Sequence, residues 1–537
     1  MGRRVCILTA GKGRRLGGLC AYTNKSLIPV AYRPVLSRVI EKFPSDTEFV
    51  VALGHQGNLV RDYINLVYPE LSVQFIEIDN YTQPGSGPGY SLLCCRPYLQ
   101  EPFVLTTCDT LVDEDLHDVT ENWVGVAPHD RIENYCSVGL NKEAFVTRID
   151  YRKNVEGNLA FIGIAGIHDV EMFWRALAGD RDLILGEHQI SNGLKGLLQR
   201  GLRGRTFTWF DTGTPEGLEA ANRHYGTGFS NFDKENEFIY FVNGGVVKFF
   251  ADTEIVRKRV VRSRLLGELC PAITDSKANF YRYNYIEGKK LAEVVDDATF
   301  AHFLEWCREK LWVPVDLGAA ARAEFKTLCC LFYKDKTESR LKMFHDAARI
   351  PDREEQINGY DVPSTRELLD KIDWDWMSGG IPVQFHGDLH FDNTIVPLDP
   401  ADGEFKLLDW RQNFSGKLEY GDWYYDLAKI NHALILSHEQ IKKDQYDVCV
   451  EDGRVRYYYL TRSELISCQN VMRGFVERVG LDFYKVLVLT HLIYLNMSPL
   501  HHRPFNLLLY YHGKLGLYRL LQNGEKAVVK DRRVHAN

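Results

Sequence analysis

Over residues 1–225 short apolar runs alternate with helical stretches, and near Tyr225-Gly226-Thr227-Gly228 that alternation stops. Val5-Cys6-Ile7-Leu8 begins the series. Glu48–Leu53, 73–78, Phe103–Thr107 and Leu159–Ile167 continue it, with helical patterns over 35–42, 59–67 and 170–178 between them. Strands alternating with helices predict an open α/β sheet of mostly parallel strands, since each parallel return needs a crossover. After the break, Glu237–Val242 and 246–250 flank Asn243-Gly244, the pattern of a tight hairpin. A charged helix is expected over Thr253–Leu266, and long helical stretches dominate from Phe300 on. The chain therefore reads as an α/β domain over 1–225 and a second domain over 226–537. The second divides into a β-rich part, 226–290, and a helical part, 291–537.

With 45% hydrophobic and 26% charged residues in 537, such a chain buries its cores without staples. Its twelve cysteines include the adjacent pairs Cys94-Cys95 and Cys329-Cys330 and no CxxC. That spacing predicts reduced thiols in a cytoplasmic protein, with neither zinc ligands nor a disulfide framework. A net charge of -7 argues against a nucleic-acid partner. No apolar run reaches the ~18 residues that span a membrane. The start runs straight into a strand, unlike a signal peptide.

Directly after the first strand comes Ala10-Gly11-Lys12-Gly13-Arg14-Arg15-Leu16. Glycines let a loop wrap phosphates with its N–H groups, and Lys12, Arg14 and Arg15 add positive charge. Lys25 follows in Asn24-Lys25-Ser26-Leu27-Ile28-Pro29. Asp109 ends one apolar strand and Asp211, in Trp209-Phe210-Asp211-Thr212-Gly213, ends another. Strand ends are where open α/β sheets bind ligands, and two carboxylates meeting there can hold Mg²⁺ on a triphosphate. Singly, such an aspartate is a common cap or turn former.

In order and spacing these segments resemble the sugar-phosphate nucleotidyltransferases, which have a Rossmann-like core and join an NTP to a phosphorylated acceptor. The resemblance implies that Ala10, Gly11, Gly13 and Arg14 hold the triphosphate. It implies that Lys25 neutralises the α-phosphate, that Asp109 and Asp211 ligate Mg²⁺, and that Gly85 and Gly87 lie beside base and ribose. Asn24 stands where that family usually has proline. Asparagine there is similar to the phosphocholine-type cytidylyltransferases, which points to CTP, with UTP as the alternative.

A second constellation is Phe385-His386-Gly387-Asp388-Leu389-His390-Phe391-Asp392-Asn393, followed by a strand ending in Asp409. Kinase chemistry needs one aspartate for the acceptor's proton, and an Asn and an Asp for magnesium. Asp388, Asn393 and Asp409 fit in that order. A metal site of His386, Asp388 and His390 is the competing reading. Lys248, mid-strand in the hairpin, is a candidate partner of the ATP phosphates, with Glu254 or Glu268 as its carboxylate. Segment 230–234 is a candidate phosphate loop, and Tyr285 stands in the candidate connection that meets adenine.

Residues 229–430 resemble the choline kinase and aminoglycoside phosphotransferase family, which has the two-lobed protein-kinase-like fold and uses ATP and Mg²⁺. Gly421 to Ala428 resembles that family's helix after the metal aspartate, with Asp426 structural and His386 orienting the loop. Trp374, Trp376, Trp410, Trp423, Tyr424 and Tyr425 could cage a choline or pack the helical part, and packing is favoured. The histidines of 496–504 could shape an acceptor pocket. Together the two resemblances imply a bifunctional enzyme. One head phosphorylates a small alcohol or sugar with ATP; the other couples a phosphorylated acceptor to an NTP, feeding surface-glycan or head-group synthesis. The alternatives are a nucleotide-binding sensor without turnover, and a kinase acting on an unrelated substrate such as an antibiotic.

Overall fold

The computed structural model describes residues 3–116, 119–151, 159–179, 183–184, 186–226 and 235–534, the last twelve of these by backbone alone. The chain divides into two units. One comprises Met1–Val256 with Thr274–Tyr285, the other Arg257–Ile273 with Ile286–Asn537.

The first unit is built on a nine-stranded sheet. Four strands are parallel in the order Phe103–Thr107, Arg4–Leu8, Glu48–Leu53, Val73–Glu77. Arg4–Leu8 is central and almost wholly buried (Val5, Cys6 and Ile7 are 0% exposed), as a strand covered on both faces must be. Helix Gly57–Val67 turns Leu59, Val60, Tyr63, Ile64 and Val67 inward at helical spacing. The expectation of a mostly parallel sheet holds for these four strands and for Arg203–Thr206, which pairs parallel with Trp123–Pro128. Leu159–Ile167 pairs antiparallel with Phe103–Thr107, Trp123–Pro128 and Cys136–Leu140, and Val146–Tyr151 pairs antiparallel with Cys136–Leu140. For the last pair the reason is local: the connection from Leu140 to Val146 is too short for a crossover helix.

The division expected between 225 and 226 is displaced. Strands Glu237–Val242, Gly245–Phe250 and Phe280–Asn284 join the first unit's core, because Phe238, Tyr240, Val247, Phe249 and Phe280 are buried with Tyr63. Tyr63 meets Tyr240 edge-on at 5.6 Å, and the Tyr240 hydroxyl donates to Leu27 O at 2.9 Å. The hairpin turn has Asn243 at φ 49° and Gly244 at φ 65°, the geometry that matches strand twist.

The second unit is mainly helical. Helices Trp423–Ile435, Phe483–Met497 and Phe505–Val534 pack successively, and Val486, Val488, Leu489, Leu492, Tyr510 and Tyr511 are buried in one large core. A small antiparallel sheet, Gly288–Lys290, Thr394–Pro397 and Lys406–Leu407, carries the loops that hold the second acidic cluster. All twelve cysteines are free thiols. Among the described residues no helix is long and apolar enough to cross a membrane.

Candidate active sites

In the first unit the loop after Leu8 is held by backbone. Thr9 N–H donates to Ala52 O at 3.1 Å and His55 N–H to Ala10 O at 3.0 Å. Buried Asn24 donates through Nδ2 to Thr9 O at 2.9 Å and His55 O at 2.6 Å. Gly13 has φ 64°, and a Cβ there would lie 2.6 Å from Cys20 Sγ, so only glycine fits. Gly11 lies over Lys25, whose Nζ would be 3.6 Å from a Cβ at residue 11.

Strand Thr110–Val112 pairs antiparallel with Trp209–Asp211, setting Asp211 opposite Thr110 and beside Asp109. Thr212 locks the junction, its N–H and Oγ1 both donating to Asp109 O at 2.9 Å. A Cβ on Gly213 would lie 2.7 Å from Asp109 Oδ2, 3.0 Å from Asp211 Oδ1 and 2.9 Å from Arg15 Nη2. Two carboxylates and a guanidinium thus face one point, which glycine leaves clear. Lys25 Nζ is 2.7 Å from Asp109 Oδ2, Arg15 Nη1 is 3.1 Å from Asp211 Oδ2, and Tyr135 OH donates to Asp211 Oδ2 at 2.7 Å.

The electrostatics follow. Burial would raise the Asp109 carboxyl, but Lys25 outweighs it and the group is held below its ordinary range. Burial and the nearby Asp109 push Asp211 up. Lys25 is raised, its desolvation being outweighed by Asp109. Two neighbouring carboxylates whose oxygens face one point are a donor set that suits Mg²⁺.

Of the other expected residues, Gly85 (φ 84°) and Gly87 (φ 114°) form a loop on residues 186–189. Gly85 N–H donates to Gly186 O at 2.8 Å, and a Cβ on Gly87 would lie 2.7 Å from His188 O. Arg14 is exposed, and its neighbour Arg15 is the arginine at the carboxylates. Lys248 lies between Ile239 and Tyr281 in the first unit's hairpin sheet. Tyr285 is exposed, its N–H donating to Gly244 O at 2.9 Å. Glu254 belongs to the first unit and Glu268 to the second. The candidate phosphate loop 230–234 lies outside the described residues.

In the second unit, Asp388 Oδ1 is 2.7 Å from Lys429 Nζ, and Asn393 Nδ2 donates to Asp388 O at 3.0 Å. Leu408 N–H donates to Asn393 O at 2.7 Å, which sets the Asp409 turn against the Asn393 turn. Asp409 itself has φ 55°, a left-handed conformation that non-glycine residues adopt sparingly and often at functional sites. Its Oδ1 is 3.5 Å from Arg259 Nη1. With its amide nitrogen on Asp388, Asn393 keeps Oδ1 as the atom that could meet a cation. With the Asp409 carboxylate this is again an oxygen donor set suited to Mg²⁺.

His386 donates through Nε2 to Leu408 O at 2.9 Å and accepts from Asp388 N–H at Nδ1, 3.2 Å, so it is neutral. Burial lowers it to about 3. Both ring nitrogens are thus engaged with backbone, which disfavours the His386, Asp388, His390 metal reading. Asp426 caps the loop from below, accepting from His386 N–H at 2.8 Å and Gly387 N–H at 2.7 Å. Burial would raise the Asp388 carboxyl; Lys429 outweighs it and holds the group well below its ordinary value.

Sequence reasoning missed four residues: Arg15 as the contact, Tyr135, Lys429 and Arg262. Lys429 stands one helical turn after Asp426 on helix Trp423–Ile435, a spacing that could have flagged it. Arg262 is 1% exposed; it donates to His386 O at 3.2 Å and Leu418 O at 3.1 Å, and also to Phe385 O and Arg411 O. Nothing in its helix pattern marks it. The aromatic residues weighed as a cage pack internally. Trp410 is 1% exposed, Tyr425 meets Phe332 edge-on, and Lys485 Nζ lies 4.7 Å from the Tyr424 ring centre. His501 lines a separate cavity with Phe344, Arg349 and Arg503.

Comparison with known proteins bears on the first unit. Residues 5–128 match the MobA-like NTP transferase domain. The bifunctional protein GlmU of Methanococcus maripaludis is 25% identical over 230 residues, 41% of this chain and 53% of that protein. The low-salt glycan biosynthesis nucleotidyltransferase Agl11 of Haloferax volcanii is 28% identical over 243 residues, 40% of this chain and 64% of that protein. The chain spans about half the length of the curated relatives it matches. A solved UTP-bound UGPase from Acinetobacter baumannii aligns with a TM-score of 0.36 at 15% identity, over 42% of this chain and 94% of that one. The amino-terminal part of the chain is an α/β unit, and its residues 5–128 are similar to an NTP transferase domain.

Proposed function

We propose that the chain carries two phosphoryl chemistries: nucleotidyl transfer to a sugar phosphate or similar phosphomonoester in the first unit, and ATP-dependent phosphorylation of a small alcohol or sugar centred on Asp388. The observation that carries the first is the meeting of Asp109 and Asp211 beside Lys25 and Arg15. The glycan-biosynthesis name of Agl11 supports a sugar phosphate as acceptor. The second rests on Asp388, Asn393 and Asp409 brought to adjoining turns and braced by Lys429 and Asp426.

In nucleotidyl transfer an oxygen of the acceptor phosphate bonds to the α-phosphorus, the bond from α-phosphorus to the bridging oxygen breaks, and pyrophosphate leaves. Lys25 and Arg15 neutralise charge that builds on the α-phosphate, and loop 10–13 orients the triphosphate through backbone N–H groups. Mg²⁺, held by Asp109 and Asp211, would add charge neutralisation. In the second reaction Asp388 orients the acceptor hydroxyl and takes its proton as oxygen bonds to the γ-phosphorus and ADP leaves. Lys429 fixes the Asp388 carboxylate; Asn393 and Asp409 would hold Mg²⁺.

Both chemistries agree with a pathway order in which the kinase product is the transferase acceptor. CTP, suggested by Asn24, and UTP are the first nucleotides to test. The Asn24 side chain is committed to Thr9 and His55, so base choice falls to the 83–89 loop. The test incubates the protein with Mg²⁺, ATP, each of CTP, UTP and GTP, and a panel of alcohols and sugars, read by mass spectrometry. A phosphomonoester and its nucleotide-diphospho derivative are expected. No nucleotide consumed with any acceptor would leave a binding module instead.

A further inference from the structure

Four basic side chains form a cluster that reaches Asp388 through Lys429. Helix Lys336–Ala348 supplies Lys336 and, one turn on, Arg340; the turn after Asp409 supplies Arg411; helix Trp423–Ile435 supplies Lys429. Phe332 links them. Lys336 Nζ is 4.2 Å from its ring centre and the Arg411 guanidinium 4.9 Å. Tyr425 meets the same ring edge-on at 4.8 Å and has Lys336 Nζ 5.8 Å away. Tyr425 precedes Lys429 by one turn, and Lys429 Nζ is 2.7 Å from Asp388 Oδ1. Lys336 feels the charges of Arg411, Lys429 and Arg340, with Asp388 opposing them.

Among the described residues, Lys336, Arg340 and Arg411 have no carboxylate within ion-pair distance, and Lys429 has only Asp388. Arg411 Nε is buried with no hydrogen-bond partner. Half-buried cations crowded together without counter-charge are costly, and such clusters persist where a ligand supplies the charge. A cationic acceptor would meet like charge here, and the aromatic faces of Trp376 and Tyr424 are already met by Lys485.

Resting on the reading of Asp388 as the phosphotransferase centre, we infer that the hydroxyl-bearing acceptor carries an anionic group, a carboxylate or a phosphate, held by Lys336, Arg340 and Arg411. Charge-assisted bonds from a planar guanidinium and an ammonium suit either group.

The experiment uses the full chain with ATP and acceptors of matched size: glycerol, glycerate, glycerol phosphate and choline. Glycerate or glycerol phosphate, depending on which anion the site takes, is expected to exceed glycerol in kcat/KM by about tenfold or more. Arg340→Gln and Lys336→Met are expected to abolish that preference by raising the acceptor KM, with the KM for ATP unchanged; Lys336→Arg is expected to keep it. Glycerol or choline preferred over both anions would overturn the inference. So would variants that raise the KM for ATP instead, since the cluster would then serve the nucleotide. Phosphorylation of none of the acceptors while these variants weaken ATP binding would overturn the phosphotransferase reading itself.

Discussion

At the scale of residues, the carboxylates are the legible part of both sites, because an aspartate at the end of an apolar strand is placed by the strand. Asp109 and Asp211 meet because their strands pair. The arginine was not legible. Arg14 and Arg15 are neighbours in a Gly-rich turn, and their directions are set by Gly13 at φ 64° and by the break at Gly17. Arg15→Ala is expected to lower kcat/KM for nucleotidyl transfer about tenfold to a hundredfold, as loss of a donor at developing charge does. Arg14→Ala is expected to change it less than about threefold. Steady-state pyrophosphate release on both variants checks this, and the reverse order would return the role to Arg14. Asn24→Ala would leave Thr9 O and His55 O without their donor. A loss of about 1–3 kcal/mol is expected in chemical denaturation of the first unit.

At the scale of elements, periodicity located strands and helices well where burial is clear-cut, on both faces of Arg4–Leu8 and on one face of Gly57–Val67. It failed on partners. Nothing in Cys136–Leu140 or Val146–Tyr151 says which neighbour it will pair with; short connections decide that. The hairpin 237–250 was legible as a hairpin, yet its aromatic face joins a core formed with Tyr63, far away in sequence. The helix Thr253–Leu266 reads as a charged surface helix, but Arg262 is buried on four carbonyls of the Phe385 and Arg411 segments. Burial lowers its guanidinium to about 9. Arg262→Met is expected to destabilise the second unit by about 3 kcal/mol or more, because buried acceptors lose their donor. Urea unfolding checks it, and a shift below about 1 kcal/mol would contradict the bracing role.

At the scale of the molecule, acid should weaken the fold. Burial lowers His386 to about 3, His390 to about 4 and His491 to about 4. The unfolded chain binds protons near pH 6.5 that these folded histidines refuse. Their contribution is therefore full above about pH 6.5 and is lost as pH falls toward 4, by about 1.4 kcal/mol per pH unit for each. Asp426, raised by burial to about 6, works in the opposite direction. Its protonation favours the fold below its unfolded value of 3.8, and that gain disappears as pH rises through 6. Burial lowers His432 and His512 as well, so the histidines outweigh the raised aspartates and give a melting temperature lower at about pH 5.5 than at about pH 7.5; equal values would contradict the burial account.

Two acidic centres in separate units should also fail separately. Pyrophosphate release and ADP release are measured side by side on the purified chain, on Asp109→Asn and on Asp388→Asn. Each variant is expected to lose its own reaction by about a hundredfold or more and to keep the other within about threefold. Loss of both reactions in either variant, or pyrophosphate release undiminished in Asp109→Asn, would contradict two independent phosphoryl-transfer sites.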